Sequence, residues 1–161
     1  MSQTTEMEAA RGAAAAGLAA LEEGDFAEAV ALLRKAAALD PANLAVRREL
    51  GEALAATGDF AGAGAILAEA AALAPDDAET LLHLAHVRQM GGDGAAARAA
   101  IERAVALAPG DPGLRLAQAR IYESLGETGL AAETFSTLAR DAASPAVLND
   151  LARLYLATGQ Y

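Results

Sequence analysis

The chain has 161 residues, no cysteine and a formal net charge of -10. That length suits one ordinary domain or a short array, and without cysteine there is no disulfide framework and no thiolate metal site. The acidic balance argues against nucleic acid or an anionic membrane surface as the main partner. Apolar residues make up 54% of the chain, yet roughly three residues in ten are alanine. Such a composition favours helix and rewards close helix approach over bulky packing. The acidic surface keeps an alanine-rich chain in solution.

Residues 1–9 carry no periodicity and read as a short, partly disordered lead. The alanine-rich stretch at residues 9–21 follows Glu6 and Glu8 rather than a basic segment, so it does not read as a signal peptide. No apolar run reaches the roughly 18 residues needed to cross a membrane. The expectation, taking Met1 as the natural start, is a soluble, cytoplasmic protein without membrane insertion.

From Gly24 a pattern sets in. GDFAEAVALLRKAAALDPAN returns as GDFAGAGAILAEAAALAPDD at Gly58 and as GDGAAARAAIERAVALAPGD at Gly92. A weaker copy, GETGLAAETFSTLARDAASP, begins at Gly126, and the turn alone returns as GQY at Gly159. The glycines are spaced by 34, 34, 34 and 33 residues. A fixed period of this size marks a solenoid of stacked units.

Each unit reads as two helices. The first unit has helices over residues 10–22 and 26–39, with Gly24 able to take a left-handed C-cap conformation and Asp25 to cap the next helix. Pro41 ends the second helix. The second unit has helices over 44–56 and 60–73, stopped by Pro75. Gly62 and Gly64 lie inside that second helix at a cost of up to about 1 kcal/mol each, a soft spot. The third unit places helices over 78–90 and 95–107, and the fourth over 112–124 and 129–140. A ninth helix over 146–157 leads into the last turn. The unit boundaries fall at about 10–43, 44–77, 78–111 and 112–144, with a half-unit at 145–161.

Small residues recur at equivalent places: Gly17, Gly51, Ala85, Ala119 and Ala152 in the first helices, and Ala29, Ala63, Ala97 and Ala131 in the second. Leu50, Leu84 and Leu151, with Leu33, Leu67, Ile101 and Phe135, fill the space between, and Phe26 and Phe60 close the turns. The glycine–acid–aromatic turn, the small-residue places and the terminal proline together resemble the tetratricopeptide repeat family over nearly the whole chain. The sequence departs from that pattern in places. Ala13, Arg47, Leu81, Arg115 and Leu148 replace an early aromatic. Arg88 and Gln118 stand at usual core places, and Gly94 and Thr128 at the turn aromatic.

The resemblance implies an all-α fold, an α-solenoid wound as a right-handed superhelix of antiparallel helix pairs, with the first helices lining a concave groove. It also implies which places face that groove. The first unit contributes Leu18, and the second contributes Arg48, Glu49 and Glu52. The third contributes Leu82, His83, His86 and Met90. Leu116 and Arg120 come from the fourth unit, and Asn149, Asp150 and Arg153 from the last helix. One column, Leu18–Glu52–His86–Arg120–Arg153, runs from apolar and acidic to basic.

His83 and His86 lie three apart on one face, with Glu49 and Glu52 at the matching places one unit earlier. Two imidazoles opposite two carboxylates have zinc-ligand chemistry. Without a closing motif, the simpler reading is a hydrogen-bonded polar ladder in a wet groove, with no metal and no cofactor. No nucleophile motif and no phosphate-cradling glycine loop occurs. The lysine and asparagine clamp that some relatives use for chaperone C-termini does not carry over, because Glu52, Gly113 and Ala117 stand where it needs asparagine or basic residues.

The leading expectation is a non-catalytic module for protein–protein interaction, holding a peptide or helix of a partner in the groove. The alternative is an N-terminal recruiting or targeting segment of a larger enzyme, such as a transferase, whose catalytic domain lies outside this chain. Self-association through the open C-terminal end is a third reading. There the apolar residues Leu148, Leu151, Leu154 and Tyr155 exceed what the fourth unit can cover.

Overall fold

The structure, a computed structural model, describes residues 3–141 and 144–159. Among these residues all regular structure is helical: α1 (Gln3–Glu23), α2 (Phe26–Leu39), α3 (Leu44–Ala56), α4 (Phe60–Leu73), α5 (Ala78–Met90), α6 (Gly94–Leu107), α7 (Pro112–Ser124), α8 (Thr128–Asp141) and α9 (Pro145–Thr158).

The turns follow from the sequence. Gly24, Gly58, Gly92, Gly126 and Gly159 all have positive φ, between 69° and 86°. At Gly58 the chain turns back so that Asp59 N–H donates to the Leu54 carbonyl at 2.9 Å, satisfying an end carbonyl of α3. The same bond recurs from Asp25, Asp93 and Glu127 to Ala20, Arg88 and Tyr122. Asp25, Asp59 and Asp93 then each accept a backbone N–H three residues on, at 3.1, 2.8 and 3.2 Å. One dipeptide thus ends one helix and starts the next. On the opposite edge Asn43, Asp111 and Ser144 cap α3, α7 and α9.

Helices pack on their neighbours in the chain, as a solenoid requires. First helices also touch their counterparts one repeat on, α1 with α3, α3 with α5 and α5 with α7. Among the described residues the second helices make no comparable contact. The first helices therefore lie on the inside of the curve, and the fold is an α-solenoid, a right-handed superhelix of antiparallel pairs. The core runs through it as a ribbon. Leu33, Leu67, Ile101 and Phe135 of the second helices are wholly buried, as are Ala29, Ala63, Ala97 and Ala131. Gly17 and Gly51 lie so close to Leu33 and Leu67 that an added Cβ would stand 2.7 and 2.8 Å from the leucine Cγ. Ala152, at the equivalent place in α9, is exposed because no described second helix follows it.

Several expectations need correction. Residues 3–9, read as a partly disordered lead, are the start of α1. The stretch is built of good helix formers, Glu6 sits favourably in the first turn, and Ala10 is already buried. Met1 and Ser2 lie outside the described residues, as do Ala142, Ala143, Gln160 and Tyr161. Gly64 has a packing role beside its helix-propensity cost. It is buried, and a Cβ there would meet the Arg88 guanidinium at 3.2 Å, so the glycine makes room for the arginine at a core place. The missing turn aromatic at Gly94 is replaced from the next repeat, since Leu125 lies directly over that glycine. Phe26 does not close its turn but stands 40% exposed.

Candidate functional site

The inner wall is a row of first helices, and the polar side chains expected there mostly brace one helix to the next. Arg48 on α3 reaches Asp77 and Glu79, each at 2.9 Å. Burial pushes the Asp77 carboxyl up, but hydrogen bonds from Thr80 and the charge of Arg48 outweigh this and hold it below its ordinary value. Glu52 on α3 accepts from His83 Nδ1 on α5 at 2.8 Å. Further on, Gln89 of α5 donates to Ser124 of α7 at 2.8 Å. Arg120 of α7 grips one carboxylate oxygen of Asp150 on α9 through two nitrogens, at 3.0 and 2.9 Å. Arg153 reaches Glu123 at 3.1 Å.

The histidine–carboxylate group is a polar ladder. The bond from His83 first, and then the charges of the two imidazoles, pull the Glu52 carboxyl down against partial burial. Glu49, one turn earlier, is pushed up by burial and by repulsion from Glu52. His86 is pushed down by its crowded surroundings, then by the charges of His83 and Arg120. Among the described residues no group of three potential metal ligands comes together.

The residues expected in the groove divide into separate places. Glu52, His83, His86 and Met90 line one cleft of about 290 Å³ with Ala55, Ala56 and Val87. Leu116 lines another of similar size with Leu138 and Val147. Leu82 is half-buried and packs on the core behind the wall. Asn149 is exposed on α9. Arg120 and Arg153, the basic end of the expected groove column, are occupied by carboxylates of their own chain.

A cleft of about 540 Å³ lies between α1 and α3 and is lined by Leu18, Leu21, Glu22, Phe26, Glu49, Glu52 and Ala56. Leu21, Glu22, Phe26 and Ala56 were not among the expected groove residues. A signal was present for two of them. Glu22 and Ala56 stand one period apart, and Met90 a further period on, so the place that selected Met90 also selects both.

At the C-terminal end, Leu154 is buried and Leu151 is half-buried against α8. Tyr155 hydrogen-bonds Ser136 at 3.2 Å. Leu148 and Leu156 remain exposed. No described helix is long and apolar enough to cross a membrane.

Helix pairs joined by one repeating turn, with an inner wall of braced helices and open clefts, define a helical-repeat scaffold. A family profile described as Tetratricopeptide repeat matches residues 20–85 and 54–121. Together these span residues 20–121 of 161, and the chain belongs to the tetratricopeptide repeat family. No curated protein sequence matches it. Among solved structures it is similar to MamA from Desulfovibrio magneticus RS-1, with a TM-score of 0.80 at 18% identity over 94% of this chain and 86% of that one. It is also similar to pilF of Pseudomonas aeruginosa, with a TM-score of 0.80 at 20% identity over 98% and 72%. A thermophilic TPR protein of Thermus thermophilus gives 0.75 at 23% identity over 87% and 78%. At these identities the likeness is one of fold.

Proposed function

We propose that the chain is a non-catalytic interaction module that holds a segment of a partner polypeptide against its inner wall. The observation that carries this reading is where apolar surface and open volume coincide. The two inner clefts that contain Leu18 and Met90 lie on neighbouring seams of the same wall, and these two side chains are 41% and 58% exposed. Exposed apolar groups in concave sites are the usual anchoring points for a bound segment, and methionine adapts to varied partners. The fold is that of a protein-interaction scaffold, which supplies surface rather than a preorganised acid–base site.

The test compares two variants of equal apolar loss. Leu18→Ser with Met90→Ser strips the inner clefts. Leu73→Ser with Leu107→Ser strips exposed leucines at the ends of the outer helices α4 and α6. A partner captured from source-cell lysate by the parent chain should be kept by the outer variant and lost by the inner one, with helicity by circular dichroism unchanged in both. Equal retention by both variants sinks the reading.

A further inference from the structure

Three of the four seams between consecutive first helices are tied by side chains: α3–α5 by Arg48 and Glu52, α5–α7 by Gln89, and α7–α9 by Arg120 and Arg153. The α1–α3 seam differs. Among the described residues, the α1 stretch from Ala10 to Glu22 makes no ion pair and no side-chain hydrogen bond to α3. Its alanines leave the seam open, and the cleft of about 540 Å³ sits there.

That cleft has two kinds of lining. Leu18, Leu21, Phe26 and Ala56 are apolar, and Glu22, Glu49 and Glu52 carry negative charge. Among the described residues only Glu52 of these three carboxylates has a direct partner, His83 at 2.8 Å, while Glu22 and Glu49 are in no ion pair. The ionised form of Glu49 is disfavoured by burial and by Glu52, which outweigh the opposing charges of His83 and Arg48, so an incoming positive charge relieves an existing cost. At the far end of the wall the arginines already hold carboxylates, and an acidic ligand there would have to displace Asp150 and Glu123.

We propose that the α1–α3 cleft takes a cationic, apolar segment of a partner polypeptide, with one aliphatic or aromatic side chain seated between Leu18 and Phe26 and a neighbouring lysine or arginine held by Glu22 and Glu49. The proposal rests on the inner-wall reading above and adds the place and the charge class. Apolar anchoring supplies the affinity, and the carboxylates select against acidic partners.

The probes are three short capped peptides: one alternating leucine and lysine, one with glutamate for lysine, and one with serine for leucine. Each is titrated into isotopically labelled protein and followed by amide shifts. The leucine–lysine peptide should move Leu18, Glu22, Phe26 and Glu49 and bind at least about tenfold tighter than the other two. Glu22→Gln with Glu49→Gln should weaken it about five- to twentyfold. Glu28→Gln with Glu133→Gln removes the same charge from exposed places on α2 and α8 and should change affinity less than about twofold. Equal loss in both charge variants, or no binding of the leucine–lysine peptide, overturns the proposal. Preferential binding of the glutamate peptide near Leu116 and Arg120 overturns it while leaving the inner-wall reading intact. Shifts confined to α2, α4 and α6 overturn both.

Discussion

Glu52 Oε1 lies 2.8 Å from His83 Nδ1, and this contact joins the second repeat to the third across the inner wall. It ties the titration of the groove to the packing of α3 on α5.

Three groups of the histidine–carboxylate ladder contribute to the pH response, beside Asp77, and their signs differ. The folded Glu52 carboxyl is held below its ordinary value. Its contribution is present above the unfolded carboxylate range, near about 4.3, and is lost as pH falls through the folded value. His86 is also lowered. The folded state resists its protonation, so stability is full above the imidazole's ordinary 6.5 and declines below it. Glu49 is raised, so its ionisation lowers stability as pH rises through the carboxylate range. The melting temperature should therefore fall slightly between about pH 7.5 and 5.5, and His86→Gln should flatten that fall. Glu49→Gln should raise the melting temperature at about pH 7 and do little at about pH 4. A lower melting temperature for Glu49→Gln at neutral pH would refute the assignment.

Arg120 and Arg153 are structural before they are anything else. Asp150 is only 8% exposed and depends on both arginines. Arg120→Ala leaves that carboxylate with only the longer Arg153 contact at 3.5 Å. Because Arg120 itself is half in solvent, the expected cost is about 1 kcal/mol by urea unfolding. Faster amide exchange should be confined to α9 and the facing end of α7.

Three glycines inside helices should respond differently to alanine. Gly12 in α1 has nothing within 4 Å of an added Cβ, and Gly12→Ala should stabilise by about 1 kcal/mol from helix propensity. Gly64→Ala should gain nothing, because the new methyl meets the Arg88 guanidinium at 3.2 Å. Gly17→Ala should destabilise by about 1–3 kcal/mol, since it drives a methyl into Leu33 in the core. Chemical denaturation of the three variants gives the order directly.

Arg98 is unsuitable as a neutral reference for binding studies. It pairs with Glu102 at 2.8 Å and with Glu127, and lies 5.4 Å from the Tyr122 ring centre. Tyr122 in turn donates to Glu102 at 3.0 Å. Arg98→Ala should lower the melting temperature. In a double-mutant cycle with Glu127→Gln the two losses should not add; additive losses would show the pair to be uncoupled. Arg103, exposed on α6 and in no ion pair among the described residues, is the better control.

The fold was legible because its signal is repeated. Gly24, Gly58, Gly92 and Gly126 each need the same left-handed turn, and five registered copies remove the ambiguity of any one. The start of α1 was not legible, since residues 3–9 lack periodicity and are held by propensity and by the burial of Ala10. The groove was legible only in part. Repeat equivalence put Glu52 beside the histidines, and the pairing fell on His83. It could not show that Asp150 would turn inward and occupy Arg120, because a residue's place in a repeat does not say whether its charge is already neutralised. Gly64 beside Arg88 was hidden for a similar reason: each departs from the pattern, and only their contact shows that the two departures compensate.

Cross-links between neighbouring first helices also decide how the superhelix deforms. A side-chain tie resists sliding of one helix along the next, and α3, α5, α7 and α9 are tied in series. The first helix pair is joined to this beam chiefly through α2 against α3. The α1–α3 seam therefore lacks the side-chain ties of the other three, although the first helix pair packs on α3 through α2 as every other pair packs on its neighbour. A segment bound there as proposed would act as a spacer, setting the pitch at which the first repeat meets the rest.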